Sequence, residues 1–190
     1  VMSGEQLNSY DSVLQVTAES EQNVALAGLQ QLRDISLHPR LLLGGRLEVP
    51  AGRALNELMA ESGKFRSLLS LLKDIQSRNE KAIIFCVNKR LQVFLSVALA
   101  RAFGLPPLSI INGDVKGVAK TSGGVTRKSL IETFESKPGF NLIVMSPVAA
   151  GVGLTVVGAN NVIHLERHWN PAKEAQATDR VYRIGQTKDV

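Results

Sequence analysis

The apolar positions along the chain follow two alternating periods, which predicts strands and helices in turn. Short apolar runs bounded by Gly, Pro or Asn occupy residues 81–87, 108–112, 141–146 and 162–166. Such runs are typical of parallel strands that are buried on both faces. Between them, apolar residues recur at helical spacing. This order favours an α/β fold in which helices flank a parallel sheet.

Predicted helices fill the intervals between these runs and the N-terminal third of the chain. Residues 5–33 are rich in helix formers, and Pro39 should end that helix because proline disfavours helical geometry in the residue before it. Residues 43–53, rich in Gly, Arg and Pro, predict a loop. The expected apolar stripes of the later helices are Phe65, Leu68, Leu69, Leu72 and Ile75; Val93, Val97, Leu99 and Phe103; and Leu130, Ile131 and Phe134.

Composition narrows the class of protein. The chain has 190 residues and a single cysteine, Cys86, which excludes an internal disulfide framework and a cysteine-rich zinc site. No apolar run approaches the ~20 residues of a membrane span, and no secretory signal opens the chain. We therefore expect an intracellular protein, in the cytoplasm, nucleoid or nucleus, with no membrane partner. The net charge of +5 permits a polyanionic partner without requiring one.

Polar and small residues follow the predicted strands where they end. Asn88 and Lys89 come after the first run, Gly113 after the second, and Ser146 closes the third. In open α/β sheets, ligands bind at the carboxyl ends of the strands. These positions are therefore candidates for ligand contact.

The C-terminal part of the chain places three long polar side chains on one helix face. Pro171 suits the first turn of a helix and Asn170 its N-cap. Gln176, Arg180 and Arg183 then fall at i, i+4 and i+7. Together with the small-residue loop at residues 147–155, they suit an anionic ligand.

Two motifs in this part resemble those of a known family. Trp169-Asn170-Pro171 is followed, at the family's spacing, by Gln-Ala-Thr-Asp-Arg-Val-Tyr-Arg-Ile-Gly-Gln at residues 176–186. The pair is similar to motifs V and VI of superfamily-two helicases, and most similar to the Swi/Snf-type double-stranded DNA translocases. The resemblance implies a RecA-like C-terminal lobe at residues 56–190, truncated at its C-terminus. A helical extension and linker at residues 1–55 would precede it.

The same resemblance implies roles at the nucleotide. Arg180 and Arg183 correspond to the arginines that contact the γ-phosphate of ATP, which makes them the candidate catalytic residues. Gly153 and Thr155 would lie near the nucleotide, although the family usually has Asn where Thr155 stands. Gln176 would orient the same site, and the alternative for it is an amide on the helix surface.

The resemblance also implies a surface for double-stranded DNA. Asn88, Lys89, Gly113, Ser146 and Trp169 are the residues expected to line it. Trp169 is the chain's only tryptophan, and packing in the core is the alternative interpretation for it.

Other features of the sequence carry no such role. The loop at residues 114–125 is longer than its counterpart in the family, and we interpret it as a surface loop. The pattern Gly151-x-Gly153 has Val156 where a dinucleotide-binding motif needs its third glycine. His164 and His168 lack partners at metal-ligand spacing, so we expect no metal site.

The sequence contains no Gly-x-x-x-x-Gly-Lys-Ser/Thr phosphate loop and no Asp-Glu pair. In the family both belong to a first RecA-like lobe, which would bind most of the ATP and Mg²⁺. The leading hypothesis is therefore the second lobe of an ATP-dependent DNA translocase, inactive as a hydrolase without its first lobe. A nucleic-acid-binding module without turnover and an RNA helicase lobe are the alternatives.

Overall fold

The computed structural model of the chain describes residues 1–2, 4–19, 22–115, 125–150 and 155–179. The chain forms two compact units, Val1–Leu71 and Leu72–Val190. This division falls within a helix and does not test the predicted domain boundary between residues 55 and 56. That boundary stays a prediction.

The first unit is helical. Helices α1 (Glu5–Ala18) and α2 (Gln22–Leu37) pack against each other and are followed by a 3-10 helix, Pro39–Gly44. The stretch that predicted one helix therefore forms two. Helix α2 ends just before His38 and Pro39, in agreement with the expected proline stop.

Two further helices complete this unit, and one of them was missed. Helix α3 (Arg53–Ala60) begins where the predicted loop ends, and helix α4 (Gly63–Ser77) carries the expected apolar stripe. Because α3 is short, its buried side chains, Leu55, Leu58 and Met59, do not establish a helical period in the sequence. His38 contacts α3 through a hydrogen bond between its Nε2 and the Leu58 carbonyl, at 2.9 Å.

The second unit contains the sheet. Its strands are β1 (Lys81–Phe85), β2 (Ile110–Ile111), β3 (Asn141–Met145) and β4 (Asn161–His164). Over the described residues the strand order is β2-β3-β1-β4, and every pair is parallel. The connecting helices are α5 (Lys89–Phe103), α6 (Arg127–Ser136) and α7 (Pro147–Ala150), and α8 (Pro171–Thr178) follows β4. The predicted α/β fold with a parallel sheet is confirmed.

The core of the second unit lies between the sheet and its helices. It includes Ile83, Phe85, Ile111, Ile143 and Met145 from the strands, Ile131 and Phe134 from α6, and Ala149, Val156, Ala159 and Ala177. Helix α5 matches the expected stripe only in part. Of the predicted positions Leu99 is buried, whereas Val93 is exposed. Leu91 and Leu95, which lie outside the predicted stripe, are buried as well. The expectation is therefore wrong at Val93, because Leu and Phe positions one or two residues away are buried instead.

Two predicted strands also differ from the structure. Residues 162–166 were expected to be buried on both faces, but β4 is only half-buried along its length. Among the described strands β4 pairs with β1 alone, so it lies at a sheet edge. Strand β2 is shorter than residues 108–112 because Asn112 turns the chain, its Oδ1 accepting a hydrogen bond from the Asp114 amide at 2.9 Å. No helix in the described ranges has the length and apolar character to cross a membrane.

Candidate nucleotide and nucleic-acid site

The site is the carboxyl edge, defined here as residues 86–89, 112–115, 146–147 and 165–170. Each of these segments follows a strand of the sheet. The register pairs Phe85 with both Met145 and His164, so the strands end at one level. The segments that follow them therefore lie side by side.

A buried carboxylate fixes the segment after β1. Glu166, which is 4% exposed, accepts hydrogen bonds from the backbone amides of Val87 and Asn88, both at 2.7 Å. Removing the Glu166 carboxylate would leave these two amides without a hydrogen-bond acceptor. Each buried amide left unsatisfied in this way lowers the stability of a protein by about 1–3 kcal/mol. Because these amides bond within the chain, they are not open donors for a phosphate.

A buried glutamine joins the ends of β1 and β2. Gln92 donates from Nε2 to the Cys86 carbonyl at 2.8 Å, and its Oε1 accepts from Asn112 at 2.8 Å. Asn88 begins α5 as its N-cap, with Oδ1 accepting from the amides of Arg90 and Leu91. The ends of β1 and β2 are therefore linked on this side, because three side-chain amides bond to the backbone or to one another.

Lys89 and Asp114 form an ion pair across the edge. The distance from Lys89 Nζ to Asp114 Oδ1 is 2.6 Å, and both side chains are largely exposed. Gly113, next to Asp114, faces open space where a β-carbon would lie. The segments that carry Lys89 and Gly113 are thus in contact.

Ser146 and Thr155 flank the small-residue loop. Ser146 donates its backbone amide to the Ile111 carbonyl at 2.8 Å, and its side chain is half-buried. Thr155 is exposed, and it precedes Val156, which is buried in the core. Glu135 on α6 fixes the segment just beyond by accepting from the amides of Val157 and Gly158, at 2.8 and 3.0 Å.

Trp169 projects from the segment between β4 and α8, and its side chain is 82% exposed. Core packing, the alternative interpretation for this residue, is wrong. The segment is tied to α8 by Glu174, which accepts from Arg167 Nε at 2.8 and 3.0 Å and from the His168 amide at 2.6 Å. Burial raises the pKa of Glu174, but these hydrogen bonds outweigh it and hold the pKa below its usual range. The carboxylate is therefore charged at neutral pH.

Helix α8 begins as the sequence predicts and is also attached to β4. Pro171 occupies its first turn, and Asn170 Oδ1 accepts from the Ala172 amide at 3.0 Å. His164 Nε2 and Thr178 Oγ1 are 2.9 Å apart, which joins the far end of the helix to the sheet. Burial lowers the pKa of His164. The imidazole is therefore neutral at physiological pH.

The predicted site residues fall into two groups. Asn88, Lys89, Gly113, Ser146 and Trp169 all lie in the carboxyl edge, and Thr155 and Gln176 are exposed, Gln176 on α8. Gly153, Arg180 and Arg183 lie outside the described residues, as does most of the loop at residues 114–125. The roles of the individual residues stay predictions.

Sequence reasoning missed the side chains that position these residues. Glu166, Glu174, Gln92 and Arg167 belong to no motif that we singled out. One signal in the sequence could have indicated Glu166: it is a charged residue at the end of an apolar run. A carboxylate buried at such a position needs hydrogen-bond partners. No group of three His, Cys, Asp or Glu side chains suited to a metal ion occurs in the part of the chain that the structure describes.

A parallel sheet of strand order β2-β3-β1-β4, flanked by helices and with polar side chains at the carboxyl ends of its strands, is the architecture of a RecA-like lobe. Residues 63–185 match the family described as the helicase conserved C-terminal domain. The chain therefore belongs to this family, and it is a C-terminal lobe of the Swi/Snf type within superfamily two.

Relatives and solved structures agree with this assignment. Zorya protein ZorD of Escherichia coli O139:H28 is 48% identical over 130 residues, which are 68% of this chain and 12% of that protein. YwqA of Bacillus subtilis strain 168, named as a proposed ATP-dependent helicase/translocase, is 34% identical over 184 residues, 96% of this chain and 18% of that protein. The chain thus spans less than a fifth of either relative.

A solved structure of the Sulfolobus solfataricus SWI2/SNF2 ATPase core in complex with dsDNA has the same fold. It superposes with a TM-score of 0.73 and 27% identity, over 100% of this chain and 37% of that one. Both the RecA-like fold and the Swi/Snf resemblance are confirmed.

Proposed function

We propose that this chain is the second ATPase lobe of an ATP-dependent double-stranded DNA translocase. In this proposal Arg180 and Arg183 act on the γ-phosphate of ATP, and the carboxyl edge contacts the DNA backbone. A first RecA-like lobe of the same protein binds most of the ATP and its Mg²⁺. The chain then works inside the cell, in contact with DNA.

One observation carries the DNA part of the proposal: an exposed tryptophan stands in the carboxyl edge, which also bears Lys89 and Ser146. Tryptophan is enriched among the residues that contribute most to binding at interfaces, so a tryptophan that is 82% exposed beside a lysine and a hydroxyl is a candidate contact residue. Lysine and hydroxyl side chains supply the phosphate contacts that dominate sequence-independent binding to DNA. The complex of the Sulfolobus SWI2/SNF2 ATPase core with dsDNA supports the same partner here.

The nucleotide part rests on α8 and on the motif that continues beyond it. Gln176 is exposed on this helix, and Arg180 and Arg183 follow it four and seven positions later in the sequence. A guanidinium stays charged and donates from a planar fork, which suits a phosphate that gains charge in the transition state. Without a phosphate loop in this chain, these arginines need the first lobe to complete the site.

The test compares two variants of the complete ATPase. Arg183→Ala should lower the rate of ATP turnover by ~10³-fold or more, because the loss falls on transition-state charge stabilisation. Its affinity for duplex DNA should change little. Trp169→Ala should instead keep much of the hydrolysis and lose displacement of a triplex-forming strand, since that ring is assigned to DNA.

Arg101→Ala is the matched control, because Arg101 is exposed in the last turn of α5, at the other end of that helix from the carboxyl edge. It should leave hydrolysis and strand displacement unchanged. Near-normal turnover in Arg183→Ala would show that the arginine assignment is wrong. In that case a binding module without turnover becomes the better interpretation.

A further inference from the structure

We propose that Glu174 is a positioning residue that joins helix α8 to Trp169 and thereby couples ATP hydrolysis to movement along DNA. This inference rests on the proposed function above and deepens it. No motif or relative described above gives Glu174 a role.

The contacts of Glu174 all reach the segment that carries Trp169. Both carboxylate oxygens accept from Arg167 Nε, at 2.8 and 3.0 Å, and one also accepts from the His168 amide at 2.6 Å. The Glu174 side chain is only 10% exposed. The Arg167 side chain is 78% exposed, so the pair is shielded from water only on the glutamate side. Charge-assisted hydrogen bonds are stronger than neutral ones. The segment just before Trp169 is therefore fixed to α8.

The residue after Trp169 is fixed as well. The Asn170 amide donates to His168 Nδ1 at 3.0 Å, and Asn170 Oδ1 accepts from the Ala172 amide at 3.0 Å. Trp169 thus extends from a short backbone segment held on both sides, with its ring centroid 5.6 Å from that of His168. The ring is exposed, whereas the backbone on both sides of it is hydrogen-bonded to side chains at the start of α8 and in the preceding segment.

Two side-chain hydrogen-bonding contacts of helix α8 have different consequences. Thr178 joins its far end to His164 on β4, so that contact links the helix to the sheet. Glu174 lies in the same helix as Gln176, which is assigned to the nucleotide, and it bonds directly to the neighbours of Trp169. A displacement of α8 therefore reaches Trp169 in two ways: through the chain at Asn170, and through Glu174, which fixes the segment just before the ring.

The positioning role is tested first on the chain itself. Trp169 is the only tryptophan in the 190 residues, so tryptophan emission reports on this position alone. In Glu174→Ala, time-resolved fluorescence anisotropy should show a larger amplitude of fast depolarisation, because the segment is released on the picosecond-to-nanosecond scale. Glu174→Gln keeps an acceptor for the His168 amide but loses the charge that pairs with Arg167, and it should give an intermediate value.

Glu132→Ala is the control, since Glu132 forms an exposed ion pair with Lys128 within α6. The Glu132→Ala substitution should leave the amplitude of fast depolarisation unchanged from that of the unsubstituted chain. Far-UV circular dichroism and thermal unfolding establish whether each variant is folded. If Glu174→Ala does not fold, Glu174→Gln is the variant that tests the positioning role. Unchanged depolarisation in a folded variant overturns the positioning role.

The coupling role is tested in the complete ATPase by measuring strand displacement per ATP hydrolysed. Glu174→Ala should lower this ratio about tenfold, because misplacement of a contact by about 1 Å has effects of that order or larger. Parallel losses of hydrolysis and displacement, or no change in the ratio, overturn the coupling role. If the unsubstituted ATPase shows no DNA-stimulated hydrolysis, the proposed function is wrong, and the coupling role is wrong with it. The fluorescence measurement still decides the positioning role, because it does not depend on hydrolysis.

Discussion

At the scale of single residues, the ammonium of Lys89 has two competing partners. In the structure it pairs with Asp114 at 2.6 Å, and in the proposed complex it binds a DNA phosphate. An exposed ion pair of this kind contributes only ~0–1 kcal/mol. A phosphate that arrives with the rest of the DNA backbone can therefore replace the carboxylate.

This competition predicts opposite effects for the two partners. Lys89→Ala should weaken duplex binding by the complete ATPase and lower the slope of log affinity against log salt by about 1, as expected for one lost phosphate contact. Asp114→Asn should strengthen binding, because it removes the competing carboxylate. The measurement is a titration of labelled duplex DNA at several salt concentrations.

Lys128→Ala is the control, because it also removes an exposed lysine that is paired with a carboxylate, on α6. It should leave both the affinity and the salt slope unchanged. Equal effects of Lys89→Ala and Lys128→Ala would mean that net charge, rather than a contact at the carboxyl edge, determines binding.

At the scale of elements, the start of α5 combines helix capping with the proposed DNA surface. Asn88 Oδ1 accepts from the Arg90 and Leu91 amides, while its own amide donates to Glu166. The same residue therefore begins a helix, ties β1 to the segment after β4 and stands at the candidate surface. A loss of DNA binding on its substitution can arise from either role.

Two substitutions separate these roles. Asn88→Ala should lower the free energy of unfolding by about 1 kcal/mol, the usual effect of losing an N-cap, whereas Asn88→Ser should keep most of the stability. Urea unfolding of the chain measures this difference. If Asn88→Ser also restores full DNA affinity in the complete ATPase, the side chain acts through the cap; if affinity stays low, the amide contacts DNA.

At the scale of the whole molecule, the proposed function gives this chain only part of an ATP-hydrolysing site. Its exposed carboxyl edge and its arginine motif have no phosphate loop or Asp-Glu pair beside them in the 190 residues. Hydrolysis needs all of these groups around one nucleotide, since positioning supplies much of the rate. On the proposed function, the lobe therefore completes an ATP-hydrolysing site together with the first lobe and does not form one by itself.

The purified 190-residue chain should therefore hydrolyse ATP no faster than a blank, with or without duplex DNA. Phosphate release is the measurement, and Arg183→Ala of the same chain is the control for contaminating ATPases. DNA-stimulated hydrolysis that the Arg183→Ala substitution abolishes would contradict the prediction, because it would mean that this chain binds and activates the nucleotide alone.

The sequence by itself determined the features that depend on local chemistry. The alternation of strand and helix follows from two side-chain periods, and the helix boundaries at Pro39 and Pro171 follow from restricted backbone angles and from capping. The Trp-Asn-Pro and Arg-Ile-Gly-Gln motifs identified the family because their residues and spacing are specific. None of these inferences needed a contact between distant residues.

Only the tertiary structure decided which neighbours cover each face and which side chains hold the site together. Glu166 lies 78 and 79 positions from the amides it binds, and nothing in the local pattern specifies such a pair. The inward face of α5 and the half-burial of β4 likewise depend on what packs against them. Burial and hydrogen bonding belong to pairs of elements, so they are determined only when the chain brings those elements together.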